Sequence, residues 1–435
     1  MVSARGLALH ALVALHKGRR DRLRSELEGR GLEGRDLAFA FELAHGVVRR
    51  ERLLDHVLQG FAHRGLPKDP PLRIALRLGV YQLLFVPGMP SHAAVHETVE
   101  LVRQNKGFAN AMLRHVAGAV RDVAADPSRP RRELALAPER SFELPRMLPK
   151  DEVERLAVVH SLPDWLALRF GEQHGLDGLR RIAAAASATP GIYLRAGVDV
   201  SLETLRAELE AHEVEVEPTG HARLLRWSGG ASPFGTPPFR VGRFVVQDPT
   251  AVAAAAAVPC RAGDTVIDLC AAPGTKTTFL AERVGPGGKV LAYDPDQKRR
   301  ARITDNVERL RLEQVVEVVA DAGPLQPADC VLADVPCSNS GVLGRRVEVR
   351  GRLTPETFDE LPRLQREILE HAIGLTRPGG HVVYSTCSID REENEAVVTA
   401  AQQDHDGLEL VDSQLTLPQA GAHDGGYFAV LRRAR

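Results

Sequence analysis

Thr265-Val-Ile-Asp-Leu-Cys-Ala-Ala-Pro-Gly-Thr-Lys276 decides how this chain is read. A short apolar run ends in Asp268 and Cys270, a Pro273-Gly274 break follows, and a helical pattern continues through Arg283. That is one strand–loop–helix unit. The same texture repeats downstream. Lys289-Val-Leu-Ala-Tyr-Asp294 is a second strand before a polar-faced helix over 296–310, and 315–320 a third. Cys330-Val-Leu-Ala-Asp334 is a fourth strand. His381-Val-Val-Tyr-Ser385 is a fifth, after a helix over 364–375 and a Pro378-Gly-Gly380 turn; 426–431 closes the series. Such alternation predicts an α/β, Rossmann-like domain with a parallel sheet and helices on both faces.

Upstream the pattern differs. Residues 5–15, 36–46, 49–60, 71–85 and 95–103 carry apolar residues three or four apart, with Gly/Pro breaks at 65–71 and 87–90. This predicts an all-α bundle over 1–125. A Pro- and Arg-containing stretch over 126–149 reads as a linker. Residues 150–240 read as a small α+β subdomain, helical over 151–181 with a strand at 191–195; a further strand is read over 239–246. The α/β domain takes 241–435.

The 435 residues suggest two to four domains, and 44% hydrophobic with 26% charged residues excludes compositional disorder. The longest apolar run, 251–258, is far shorter than a spanning helix needs. The N-terminal stretch offers no signal-peptide cleavage site, and the five cysteines form no Cys-x-x-Cys pair. A soluble, cytoplasmic protein is expected. Residues 1–146 hold 24 Lys and Arg against 16 Asp and Glu, a balance of +8; the remainder holds 32 against 41, a balance of −9. The basic part is either a polyanion-binding module or a solvated helical face.

In open α/β sheets, ligands bind beyond the carboxyl ends of the strands. Asp268, Cys270, Asp294, Asp321 and Asp334 stand at such ends. The phosphate-loop pattern fails because Gly274 and Lys276 are not adjacent, and the dinucleotide Gly-x-Gly-x-x-Gly pattern is absent. Asp294 suits either the two hydroxyls of a ribose or a helix N-cap. Two thiols, Cys337 in Asp334-Val-Pro-Cys337 and Cys387 in Ser385-Thr-Cys-Ser388, also lie beyond strand ends. Free cysteines are usually core hydrophobes, but loop positions suit chemistry. C5 of cytosine is too weak a nucleophile to attack a methyl sulfonium. A thiolate adding to C6 makes C5 carbanion-like. A carboxylic acid near N3 assists that addition, a role open to Asp334.

These stretches resemble the RNA 5-methylcytosine methyltransferases, in their bacterial small-subunit rRNA branch (RsmB/Fmu/Sun type). Asp268-Leu-Cys-Ala-Ala-Pro-Gly-Thr-Lys-Thr277 is similar to the family's S-adenosylmethionine motif. Ala333-Asp-Val-Pro-Cys-Ser-Asn-Ser-Gly341 and Tyr384-Ser-Thr-Cys-Ser-Ile-Asp-Arg-Glu-Glu-Asn394 are similar to its two cysteine motifs. Residues 36–49, 72–84 and 108–114 resemble its NusB-like RNA-binding bundle. The resemblance implies methylation of C5 of a cytidine in 16S rRNA, with Cys387 attacking C6 and Cys337 assisting release. It implies that Cys270, Ala271, Ala272, Pro273, Gly274, Thr275, Lys276, Asp294, Asp321 and Asp334 line the cofactor and cytosine sites. Thr275 stands where the family commonly has a second Gly, so a positive φ there would strain its branched side chain.

Lys276 also suits a plain helix start, and Asp321 a turn. Arg345, Arg346, Arg350 and Arg352 form a basic run after the Cys337 loop, either a solvated surface or an RNA phosphate contact. His92 and His96 have a metal-like spacing but no third ligand, so no metal is expected. The expected partner is small-subunit rRNA, bound by a monomer. Two other functions fit the sequence: the same chemistry on tRNA or large-subunit rRNA, and a non-catalytic RNA-binding assembly factor.

Overall fold

Helix-forming segments dominate the N-terminal part of the chain, and two of them start at a side-chain cap. The computed structural model describes residues 3–18, 23–62, 64–323 and 325–435. It divides into two units, Met1–Ala188 with Leu343–Arg352, and Thr189–Val342 with Leu353–Arg435.

In the first unit the helices are α1 (Ala4–His16), α2 (Leu23–Leu27), α3 (Gly34–Arg49) and α4 (Glu51–Phe61). They are followed by α5 (Pro70–Phe85), α6 (Ser91–Leu101) and α7 (Lys106–Gly118). Ser3 caps α1 by accepting from the Gly6 amide, and Asp69 caps α5 ahead of prolines at its first positions. Every residue of α5 from Ile74 to Leu84 is buried, as befits a helix surrounded by others. Gly46 lets α3 approach it: a Cβ there would lie 2.0 Å from the Tyr81 ring.

The stretch read as a linker is structured. It carries β2 (Glu133–Ala137) and β3 (Arg140–Glu143); β3 pairs antiparallel with both β2 and β1 (Val120–Arg121). Leu134 and Phe142 are buried in the same core as the helices. Then come α8 (Glu152–Val159), capped by Asp151, and α9 (Asp164–Ser187). Val158 and Val159 pack on the bundle core, so the region expected as one α+β subdomain divides between the units.

The second unit begins with β4 (Ile192–Ala196), α10 (Leu202–Glu210), β5 (Val214–Pro218) and β6 (Leu224–Gly230). The short α11 (Pro237–Arg240) precedes β7 (Phe244–Val246), so only the end of the strand expected over 239–246 forms; Thr236 caps the helical part. These strands make an antiparallel sheet in the order β5-β6-β4-β7.

After α12 (Pro249–Ala256) the main sheet starts: β8 (Thr265–Asp268), α13 (Thr275–Val284), β9 (Lys289–Ala292), α14 (Gln297–Arg309), β10 (Val316–Val318) and β11 (Ala328–Asp334). It continues with α15 (Thr357–Gly374), β12 (Thr376–Thr386), α16 (Glu395–Asp404), β13 (Leu408–Thr416) and β14 (Gly426–Arg433). The order is β10-β9-β8-β11-β12-β14-β13. Neighbours from β10 to β12 are parallel, whereas β14 pairs antiparallel with both β12 and β13. The sheet is therefore mixed rather than wholly parallel. The sequence reading lacked β13, an edge strand whose residues from Glu409 to Gln414 are all exposed.

Fully buried Arg195 of β4 ties the small sheet to α13. Its guanidinium donates to Gln247 Oε1 at 2.7 Å and Thr278 Oγ1 at 3.2 Å, and pairs with Glu282 at 2.5 Å. Among the described residues no helix is long and apolar enough to cross a membrane.

Candidate active site

The carboxyl ends of β8, β9, β11 and β12 bring most of the expected residues together. Asp268 ends β8, fully buried. Its Oδ2 accepts from Thr277 Oγ1 at 2.7 Å, while Oδ1 has no partner among the described residues. Burial raises its carboxyl to about 7, because the charged form loses its hydration. The following loop is fixed by its backbone: Leu269 donates to Leu332 O and Ala271 to Tyr293 O, both at 2.9 Å. Cys270 is half-buried in this loop, and burial pushes its thiol upward.

The turn after Pro273 takes its positive φ at Gly274, +98°, where a Cβ would press on Ile303 at 3.2 Å. Thr275 is the first residue of α13, so the strain foreseen for its branched side chain does not arise. Lys276 reaches from the first turn of that helix to Asp334 at the end of β11, with Nζ 2.6 Å from Oδ2. Asp334 and the neighbouring Cys387 sulfur raise the lysine's pKa, against the effect of burial.

Asp294 lies just past β9 and is wholly buried. Its Oδ2 accepts from the Ala272 amide at 3.2 Å, its Oδ1 from the Asp296 amide at 3.1 Å, and Arg299 stands 3.3 Å away. The helix cap is Asp296 instead, accepting from the Lys298 and Arg299 amides. Asp294 thus ties the loop after β8 to the loop after β9. Asp321 is exposed and accepts from the Gly323 amide at 2.9 Å, the turn-forming arrangement.

The two thiols meet. Cys337 follows β11 and Cys387 follows β12, and their sulfurs are 3.1 Å apart. Backbone bonds hold the loops: Val335 N donates to Ser385 O at 3.0 Å and Gly341 N to Cys387 O at 3.0 Å. Gly341 has no room for a side chain, since a Cβ would lie 2.6 Å from Gly425 O and 2.8 Å from Cys387 O. Behind Cys337, the buried Glu393 carboxylate accepts from the Ser338 amide through both oxygens at 3.0 Å. The Tyr384 hydroxyl holds that segment by donating to Glu393 O at 2.5 Å. The Cys337 thiol is held well above its ordinary range by its bond with Cys387, by burial and by Glu393.

The sequence reading missed Asn339 and Glu393, although both lie inside the quoted cysteine motifs. Asn339 adopts φ +60° and touches both thiol residues: its Nδ2 donates to Cys337 O at 2.8 Å, and Cys387 Sγ donates to its Oδ1 at 3.3 Å.

The arginine run separates. Arg346 and Arg352 are exposed, Arg345 half-buried, and Arg352 lies 4.0 Å from Glu348. Arg350 is a correction. It is buried in the first unit, donating through Nη1 to the carbonyls of Arg49, His160 and Ser161 and through Nη2 to those of Ala186 and Leu343. A guanidinium so enclosed cannot meet a phosphate.

Three acids, Asp268, Asp294 and Asp334, surround the Cys270 loop, and all three act on its thiol. One of their oxygens, Asp268 Oδ1, is buried without a partner among the described residues. A cation bearing hydroxyls suits such a donor set, and a methyl sulfonium attached to a ribose is one.

Comparison with known proteins agrees. Residues 255–430 match the family model described as 16S rRNA methyltransferase RsmB/F, and residues 2–118 match the NusB family. The chain is similar to the probable ribosomal RNA small subunit methyltransferase B of Synechocystis, at 32% identity over 96% of this chain and 93% of that protein. Ribosomal RNA small subunit methyltransferase B of Erwinia tasmaniensis is 31% identical over 91% of this chain and 90% of that one. The crystal structure of PH0851 superposes with TM-score 0.74 at 25% identity, covering 100% of this chain and 99% of that one. The chain belongs to the ribosomal RNA small subunit methyltransferase B family, and S-adenosylmethionine is its methyl donor.

Proposed function

We propose that this enzyme methylates C5 of a cytidine in 16S rRNA through a covalent bond between Cys387 and C6. The observation that carries this is the pair of sulfurs 3.1 Å apart beyond two adjacent strand ends. Cys387 already donates to Asn339, so the proton between the sulfurs belongs to Cys337 and points at Cys387. A Cys387 thiolate would keep that donor, and Lys276 supplies a positive charge nearby. Cys337, held protonated, is the poorer nucleophile.

Cys387 sulfur adds to C6, and the electron pair of the C5–C6 double bond moves into the ring as N3 gains a proton. Asp334, in contact with the Lys276 ammonium, forms a proton-carrying pair for that atom. When bound, the cofactor supplies an electrophilic methyl group to C5. Release then requires that C5 and N3 each lose a proton and the S–C6 bond break, returning the pair to sulfur; Cys337 is assigned to this step. Residues 270–276 with Asp294, Asp321 and Asp334 would hold the cofactor. Residues 1–125, with Arg345, Arg346 and Arg352, would bind RNA phosphates. The target base must be extruded or unpaired for a thiolate to reach C6.

The test is a pair of variants assayed with 16S rRNA and cofactor. Cys387→Ala loses methylation, whereas Cys337→Ala accumulates protein covalently bound to RNA, seen as a retarded band on a denaturing gel. The reverse pattern would exchange the two roles. Bisulfite sequencing of RNA from a deletion strain identifies the nucleotide; a lost mark in tRNA or 23S rRNA would overturn the 16S assignment.

A further inference from the structure

We propose that Asn339 is a positioning residue whose side-chain oxygen directs the Cys387 thiol and opposes its ionisation until substrate arrives; this rests on Cys387 being the nucleophile. The carbonyl of Cys337 can only accept, so the Asn339 amide must turn its Nδ2 toward it, at 2.8 Å. The oxygen of the same planar amide then faces Cys387, where the thiol donates to it at 3.3 Å. The bond to Cys337 thus fixes which end of the amide meets the nucleophile. The backbone is shaped for this: φ at Asn339 is +60°, a region that asparagine and glycine tolerate better than other residues.

An acceptor aimed at a thiol favours its protonated form, because removing the proton would leave a carbonyl dipole pointing at an anion. The other groups facing this sulfur act differently. Cys337, from the loop after β11, contributes a donor, and Lys276, from α13, a positive charge. Asp334 at the end of β11 and Asp268 at the end of β8 act through that lysine, and Glu393 stands behind Cys337. Two donors or cations thus favour the thiolate, and the Asn339 oxygen opposes them.

Two substitutions separate this role from mere support of the loop, because both tolerate a positive φ and they change the electrostatics in opposite senses. The native enzyme, Asn339→Gly and Asn339→Asp are treated with iodoacetamide across pH 6–9, and alkylation of Cys387 is followed by peptide mass spectrometry. At neutral pH Asn339→Gly should alkylate about threefold to tenfold faster than native, as the thiolate fraction grows. Asn339→Asp, placing a carboxylate against the sulfur, should alkylate slower by a similar factor. If both variants change in the same direction, or neither changes, the proposal is overturned. Methylation by Cys387→Ala is a separate readout: retained activity there would remove the nucleophile assignment while leaving the alkylation result to stand or fall by itself.

Discussion

Two pairs of cysteines in the second unit teach how its neighbours decide whether a small sulfur side chain is packing or is placed for chemistry. Cys260 and Cys330 are buried in a core cluster with Val266 and Val290, and burial raises both thiols, Cys330 to about 12. Cys337 and Cys387 are half-buried at loop positions, each bonded to the other and bordered by Asn339. Cys330 and Cys337 even share one strand and its continuation. What differs is the neighbourhood: in one place the sulfur meets methyl groups, in the other it meets donors, acceptors and an ammonium.

The sharpest way to break this comparison is to remove one sulfur from each pair. Cys387→Ala should reduce turnover below about one part in 10³ of native, whereas Cys330→Ala should stay within about twofold. A folded but inactive Cys330→Ala would erase the distinction. Next in size is a pH effect at the same strand ends. Asp268 has a folded-state value of about 7 against an ordinary 3.8, so its contribution to stability is complete below pH 4 and is lost as pH rises through 7. Without cofactor, the melting temperature of Asp268→Asn relative to native should therefore rise between pH 5 and pH 8. A difference that stays level would contradict the buried, neutral carboxyl.

Smaller effects sharpen the contrast. At neutral pH a thiol reagent should modify Cys387 before Cys337, and should reach Cys260 and Cys330 on the timescale of unfolding, as mapped by peptide mass spectrometry. Equal rates at all four would sink it. Smallest of all, Cys330→Ala should cost about 1 kcal/mol in denaturant unfolding, the usual price of a minor core deletion.

The sequence made the catalytic sheet legible where strands are short apolar runs ending in acids or thiols, as at Asp268, Asp334 and Cys387. It hid β13 because an exposed edge strand has no buried face to impose alternation. It hid the hairpin of β2 and β3 because Arg and Pro between short apolar runs look like a linker. The Arg350 misassignment has a similar origin: a run of arginines gives no sign of which one folds inward, since that depends on carbonyls contributed by distant segments. The helix-cap role weighed for Asp294 falls to Asp296, two residues on, a choice that a run of acids leaves open.

The ten residues Leu343–Arg352 have a practical consequence for dissecting this enzyme. They belong with the first unit although the chain reaches them only after β11, and Val347 sits fully buried in the bundle core. A fragment cut after residue 188 would lose that plug and leave the carbonyls of Arg49, His160, Ser161 and Ala186 without the guanidinium that now serves them. Neither half of this protein can be obtained whole by a single scission; supplying the missing decapeptide in trans would be the way to recover the first.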